Sequence, residues 1–171
     1  MTPEFSRPER LDGIGDEPRT IRIEASEGER TALARRFGLV AIASLQAQFE
    51  VRRETEGVLA TGRVTGEVTQ SCSVTDEPIE ARVDEPVSLR FVEEAPGEEE
   101  VELSADALDT LPIEGGAVDL GEAAAETLAL ALDPFPRSAA ADGALRGAGV
   151  LSEDEAGPFG ALAGLRDKLK G

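Results

Sequence analysis

The clearest pattern in the chain is an alternation of apolar and polar positions between residues 58 and 91. From residue 58 to residue 68 the even positions are apolar, and from residue 79 to residue 91 the odd positions are apolar except Glu85. A period of two is typical of strands that bury one face, so the pattern predicts two antiparallel strands joined by residues 72–78. The apolar positions are Val58, Ala60, Val64, Val68, Ile79, Ala81, Val83, Val87, Leu89 and Phe91.

Two further strands and a helix are predicted upstream of this pair. Residues 20–25 and 39–53 show the same period of two, which predicts a strand in each place. Between them, Ser26 and Glu29 have the spacing of a capping box, which predicts a helix start. Gly38 is expected to end that helix in a left-handed conformation.

A second helix is predicted downstream. Asp119 and Glu122 have the spacing of a reciprocal N-terminal cap, and Pro134 cannot continue a helix. Residues 123–132 are apolar almost all round, so this helix should be buried on more than one side.

Together these elements predict an α+β fold. We expect a strongly curved antiparallel sheet, a half-open barrel-like meander, packed by two helices. Gly62 and Gly66 fall on the apolar face, where they would bend the sheet or let a helix approach closely.

The end of the chain differs in composition. Residues 1–137 are predicted to form a single domain, and residues 138–157 are rich in alanine and glycine without periodicity, which predicts a flexible linker. Residues 158–171 are predicted to form a short C-terminal helix, either a frayed tail or a peptide that folds onto a partner. Residues 5–7 are predicted to be a comparable tail at the other end.

Charge is large and unevenly distributed. The 171 residues carry a net charge of −18, and residues 93–133 contain 13 acidic groups and no basic one. Phosphate binding needs clustered basic residues, so this segment repels nucleic acid. It is either a solvated loop or a docking surface for a basic protein, since opposite potentials speed association. The candidate docking residues are Glu93, Glu94, Glu98, Glu99, Glu100 and Glu102.

The composition argues against catalysis. The chain has no histidine and one cysteine, and it shows no phosphate-binding glycine loop and no metal-ligand spacing. Asp76 and Glu77 follow Cys72 closely and are expected to raise the pKa of its thiol. We therefore expect no enzyme, no cofactor and no metal.

With no apolar run near Met1 and no run of 18 apolar residues, we expect a cytoplasmic monomer that does not bind membranes.

Several motifs, in order, resemble the YceD family, which is named for large-subunit ribosomal RNA accumulation, in its alphaproteobacterial type. The first is Gln70, Cys72, Val74, Thr75 and Pro78, leading to Arg90-Phe91. The second runs from Val118, Asp119, Leu120 and Gly121 to Asp133, Pro134, Phe135, Pro136 and Arg137, and the third is Pro158-Phe159. Shorter matches are Phe5-Ser6-Arg7 and Glu29-Arg30.

The resemblance implies a non-catalytic factor for assembly of the large ribosomal subunit. The first motif would be its recognition surface, and the acidic segment would hold a basic ribosomal protein or a pre-ribosomal particle. Some relatives carry a second cysteine three residues after the first. This chain has Thr75 there, so zinc or redox chemistry is not carried over.

Two alternatives remain open at this point. One is a thiol-dependent redox protein centred on Cys72. The other is a direct ribosomal RNA binder. It would use Arg7, Arg10, Arg19, Arg22, Arg35 and Arg36.

Two interpretations also remain for the end of the second helix. Asp133 is unfavourable beside exposed carbonyls, which suggests a specific partner, with Arg137 the nearest candidate. Phe135 would then be presented to a partner beside a cation. In the other interpretation Phe135 packs into the core behind a rigid helix stop.

Overall fold

A computed structural model describes residues 3–93, 109–113 and 115–151 of the chain. They form two compact units. The larger contains residues 3–70 and most of 80–134, and the smaller contains residues 71–79 and 135–151. The predicted linker end and C-terminal helix, from residue 152 onward, lie outside the described residues.

The larger unit is an α+β structure built on a five-stranded sheet, as predicted. The strand order is β2-β3-β4-β5-β6. These strands are β2 (Arg19–Glu24), β3 (Ala41–Glu54), β4 (Gly57–Ser71), β5 (Pro78–Val92) and β6 (Asp109–Pro112).

The first four strands follow the predicted meander. β2 pairs antiparallel with β3, and β3 pairs antiparallel with β4. Across β4 and β5, Arg63 contacts Asp84 and Glu67 contacts Arg82. From residue 63 to residue 67 the numbers rise along β4, while those of the partners on β5 fall from 84 to 82. The β4–β5 pair therefore also runs antiparallel.

The sheet departs from the prediction at β6, which pairs parallel to β5. The expected all-antiparallel sheet is therefore wrong at this edge. A parallel neighbour needs a long connection, and residues 93–108 supply it. Within the described part of the chain, β2 and β6 are the edge strands and the sheet does not close.

Helix α1 (Glu27–Phe37) begins and ends as predicted. The Ser26 side chain accepts a hydrogen bond from the N–H of Glu29, and the Glu29 side chain accepts one from the N–H of Ser26. At the other end Gly38 has φ 65°, the left-handed conformation that glycine adopts without strain.

Helix α2 (Leu120–Ala131) packs on the sheet over Gly66. A Cβ at Gly66 would lie 2.8 Å from Leu128 Cδ1, so this glycine admits the helix. Ala123, Ala124 and Leu128 are buried as expected, whereas Leu130 is 85% exposed. Only part of the predicted all-round burial is therefore observed.

Two short strands attach the chain's beginning to the start of α2. β1 (Pro8–Arg10) pairs antiparallel with β7 (Ala117–Asp119), and a 3-10 helix (Leu11–Gly13) follows β1. Phe5 is fully buried. The prediction that residues 5–7 form a short tail, either frayed or folding onto a partner, is therefore wrong.

The smaller unit contains helix α3 (Ala141–Gly147), in which Ala141 is buried. A flexible linker was predicted here from the alanine and glycine content. Alanine is also the best helix former. In residues 141–147 this preference for a helix outweighs the flexibility that glycine confers.

Candidate functional site: the cysteine loop and the segment after α2

The loop between β4 and β5 is tightly hydrogen-bonded. The N–H of Cys72 donates to the carbonyl of Glu77 at 2.8 Å, and the N–H of Asp76 donates to the carbonyl of Cys72 at 3.0 Å. Asp76 has φ 58°, which aspartate tolerates better than most residues. The first motif thus forms a closed turn with Cys72 at its base.

The segment after α2 lies along this loop within the smaller unit. The N–H of Ser73 donates to the carbonyl of Pro136 at 2.8 Å, and the N–H of Ser138 points at the sulfur of Cys72 at 3.3 Å. The structure therefore brings the first motif and the end of the second together, although about 60 residues separate them.

Gln70 lies near the end of β4 in the larger unit. Its side chain is buried, and its Nε2 donates to the carbonyl of Asp133 at 2.9 Å. This carbonyl follows the end of α2, where backbone acceptors have no helical partner. Gln70 is therefore the donor to the Asp133 carbonyl, and the specific partner expected for the Asp133 carboxylate stays a prediction.

Hydrogen bonds lower the pKa of the Cys72 thiol to about 6. The Thr75 side chain contributes most, and the N–H groups of Ser138, Val74 and Thr75 add to it, whereas burial opposes the shift. The prediction of a raised pKa is wrong, because the loop turns its donors toward the sulfur. Cys72 is only 1% exposed, and reactive thiols need partial exposure.

A carboxylate and two hydroxyls lie beside the thiol. Glu77 Oε2 accepts hydrogen bonds from Ser138 Oγ at 2.7 Å and from Thr75 Oγ1 at 2.9 Å, and the two hydroxyl oxygens are 3.3 Å apart. These bonds, that of Ser138 first, lower the pKa of Glu77. Because Thr75 has a single hydroxyl proton, Glu77 and Cys72 compete for it.

Glu77 and Ser138 were not among the predicted site residues. Glu77 lies inside the first motif, and its position there could have indicated it. For Ser138 no such hint exists, since only folding brings it to the loop.

The remaining residues of the first motif and of the end of the second lie at or near the surface. Pro78 and Pro134 are exposed, Val74 is half-buried, and Phe135 is 73% exposed. The interpretation in which Phe135 packs into the core is therefore wrong, and Arg137 is exposed as well.

The start of the second motif is a structural junction. Asp119 Oδ1 accepts hydrogen bonds from the N–H groups of Arg7, Gly121 and Glu122, and Oδ2 lies 2.5 Å from Ser6 Oγ. Leu120 is fully buried. This half of the motif fixes the chain's beginning to α2.

The predicted reciprocal cap at Glu122 does not form. Its carboxylate instead makes two hydrogen bonds to Arg36, at 2.6 and 3.0 Å. A charge-assisted pair with arginine is stronger than a neutral hydrogen bond, which explains the different partner.

The chain is similar to a known protein family. The family model of the large ribosomal RNA subunit accumulation protein YceD matches residues 60–166. The chain belongs to the YceD family. Comparisons with curated proteins and with solved structures found no match.

The YceD match covers both long motifs, from the Cys72 loop to the segment after α2. It starts after Phe5-Ser6-Arg7 and Glu29, so those resemblances stay predictions. The match is to the family as a whole, and the alphaproteobacterial type also stays a prediction.

Of the predicted acidic docking residues in this YceD protein, Glu93 is described and exposed. Glu94, Glu98, Glu99, Glu100 and Glu102 lie outside the described residues.

Most arginines of the described part are held by carboxylates. Arg7 binds Glu29 with two hydrogen bonds at 2.7 and 3.0 Å, and Arg36 bridges Glu4 and Glu122. Their pKa values are raised, mainly by Glu29 and Glu122 respectively. The ion-paired arginines are Arg7, Arg10, Arg19, Arg36, Arg52, Arg63, Arg82 and Arg90.

Metal ligands do not cluster in the part of the chain that the structure describes. Among the same residues, no helix is long and apolar enough to cross a membrane.

Proposed function

We propose that this YceD protein is a non-catalytic factor that supports accumulation of large-subunit ribosomal RNA by binding a basic protein of that subunit. It acts as a monomer in the cytoplasm and needs no cofactor. By holding the basic protein until the RNA can accept it, the factor protects both from unproductive association.

The observation that carries this proposal is that most of the candidate RNA-binding arginines are already paired with carboxylates of this acidic chain. Of the six arginines that an RNA-binding surface would use, Arg7, Arg10, Arg19 and Arg36 form ion pairs. Arg22 donates to Gln48 Oε1 at 2.7 Å. With a net charge of −18, the chain attracts basic proteins and repels phosphates.

The surface we assign to recognition lies in the smaller unit and consists of the loop Cys72–Pro78 with the segment Phe135–Arg137. Exposed Phe135 and Arg137 lie next in the chain to Pro136, whose carbonyl the loop binds. Aromatic residues and arginine are enriched at protein interfaces. The acidic segment 93–102 adds electrostatic attraction.

A capture experiment tests the proposal. The full chain is used to retain proteins from a cell lysate, with and without ribonuclease, and the retained proteins are identified. We expect basic proteins of the large subunit to persist after ribonuclease. Their complete loss after ribonuclease would favour direct RNA binding and contradict the proposal.

A further inference from the structure

A groove of about 410 Å³ lies within the larger unit, between α2, the β1–β7 pair and β6. Its volume falls in the range of roughly 300–1,000 Å³ that is usual for ligand pockets. Phe91 and Leu111, which are register partners in the β5–β6 pair, line it together with Pro112. This side of the groove is apolar.

Part of the remaining lining is acidic. Glu122 and Glu126 lie one helical turn apart on α2 and both line the groove. Like charges at this spacing destabilise a helix. Arg36 forms an ion pair with Glu122. Glu126 makes no hydrogen bond or ion pair with the described residues, and the attraction of Arg36 acts on it more weakly than the repulsion of Glu122.

Glu126 is half-buried in this position. Burial, and next the charge of Glu122, raise the pKa of its carboxyl group. A half-buried carboxylate that has no hydrogen bond or ion pair is costly, and a cation placed in the groove would reduce that cost.

We propose that this groove binds an arginine or lysine side chain from an extended basic segment of a protein partner. The aliphatic stem packs on Phe91, Leu111 and Pro112, and the charged end meets the Glu126 carboxylate. Long basic side chains combine apolar and charged contacts in this way. The inference rests on the proposed function, for which it supplies a binding subsite separate from residues 93–102.

The test uses the full chain and an acetylated, amidated hexa-arginine peptide as the probe. Backbone amide NMR signals are followed as the peptide is added. We expect the signals of Ala123 to Thr127 and of Leu111 to shift. Glu126→Gln, which keeps the shape of the side chain, should weaken binding measured at these signals by about ten-fold.

The matched control is Glu85→Gln, because it removes the same charge at an exposed position. Glu85 is about 20 Å along β5 from the groove residue Phe91. The control should change binding by less than about two-fold. Glu126→Lys should abolish the shifts in the groove while leaving the remaining spectrum folded.

Three results would overturn the inference. They are equal effects of the two glutamine variants, peptide-induced shifts confined to signals outside the groove, and stronger shifts of the groove signals by a single-stranded RNA oligonucleotide.

If lysate capture succeeds but Glu126→Gln has no effect, the subsite fails and the proposed function stands. If capture fails but the groove binds the peptide as expected, the function fails and the subsite stands.

Discussion

The carboxylate of Glu29 accepts hydrogen bonds from two separate parts of the chain. It accepts two hydrogen bonds from Arg7 and one from the N–H of Ser26, at 2.7 Å. The bonds from the Arg7 side chain contribute most, and together these contacts lower the pKa of Glu29 to about 2. One residue thus caps α1 and holds the chain's beginning to it.

Replacement of this residue by glutamine should lower the free energy of unfolding near neutral pH by about 1–2 kcal/mol. The lowered pKa stabilises the fold above about 4.5, and this contribution is lost as the pH falls toward about 2. Denaturant unfolding of wild type and Glu29→Gln should therefore converge in acid. Glu27→Gln, on the same helix turn but exposed, is the control and should change little; a constant difference at all pH values would refute the linkage.

Cys72 supplies the second prediction at the residue scale. Its pKa is lowered to about 6 from an ordinary value near 9, so the thiolate stabilises the fold at high pH. The contribution of the thiolate to the free energy of unfolding appears as the pH rises above about 6 and is complete above about 9. It is lost as the pH falls through 6.

The free energy of unfolding of wild type, minus that of Cys72→Ala, should therefore increase between pH 6 and pH 9. A thiolate titration followed by ultraviolet absorbance should give a midpoint near 6. If the midpoint lay near the ordinary thiol pKa of about 9, the hydrogen bonds to sulfur would have no energetic role.

At the scale of elements, the close approach of the chain's beginning to α2 depends on a glycine. A Cβ on Gly121 would lie 2.6 Å from the carbonyl oxygen of Phe5 and 2.9 Å from the nitrogen of Arg7. These are backbone atoms, so the contact cannot be relieved by a side-chain rotation. Burial of Phe5 and the Asp119 hydrogen bonds depend on the same approach.

Gly121→Ala should therefore destabilise the larger unit by about 1–3 kcal/mol, because overpacking displaces the segment. Gly28 is the matched control, since each glycine is the second residue of its helix and nothing lies within 4 Å of a Cβ at Gly28. Gly28→Ala should be neutral or stabilise by up to about 1 kcal/mol. Equal changes in melting temperature for the two variants would show that the contact is not tight.

The elements also show which features sequence patterns can predict. The Ser26 cap and the Gly38 helix end depend on residues a few positions apart, and both were predicted correctly. The attachment of Phe5 to α2, the Arg36–Glu122 pair and the contact of Ser138 with Cys72 join distant residues. Periodicity and propensity carry no information about such pairs, so the site was predicted only in part.

At the scale of the whole molecule, charge should govern the encounter with a partner. Glu98, Glu99 and Glu100 belong to the segment without basic residues. Changing all three to glutamine should slow association with a captured basic protein several-fold and barely change dissociation, because such charges act mainly on encounter. The rates are compared at low and high salt, and an association rate insensitive to salt would contradict this expectation.

The partner we propose is a basic protein and not RNA. The decisive measurement offers the chain, separately, the RNA-free protein fraction and the protein-free RNA of the large ribosomal subunit. At about 0.1 M salt, where charges about 10 Å apart are already screened, we predict that one or more basic proteins are retained and that the RNA is not. Retention of the RNA, with no protein bound, would contradict the account.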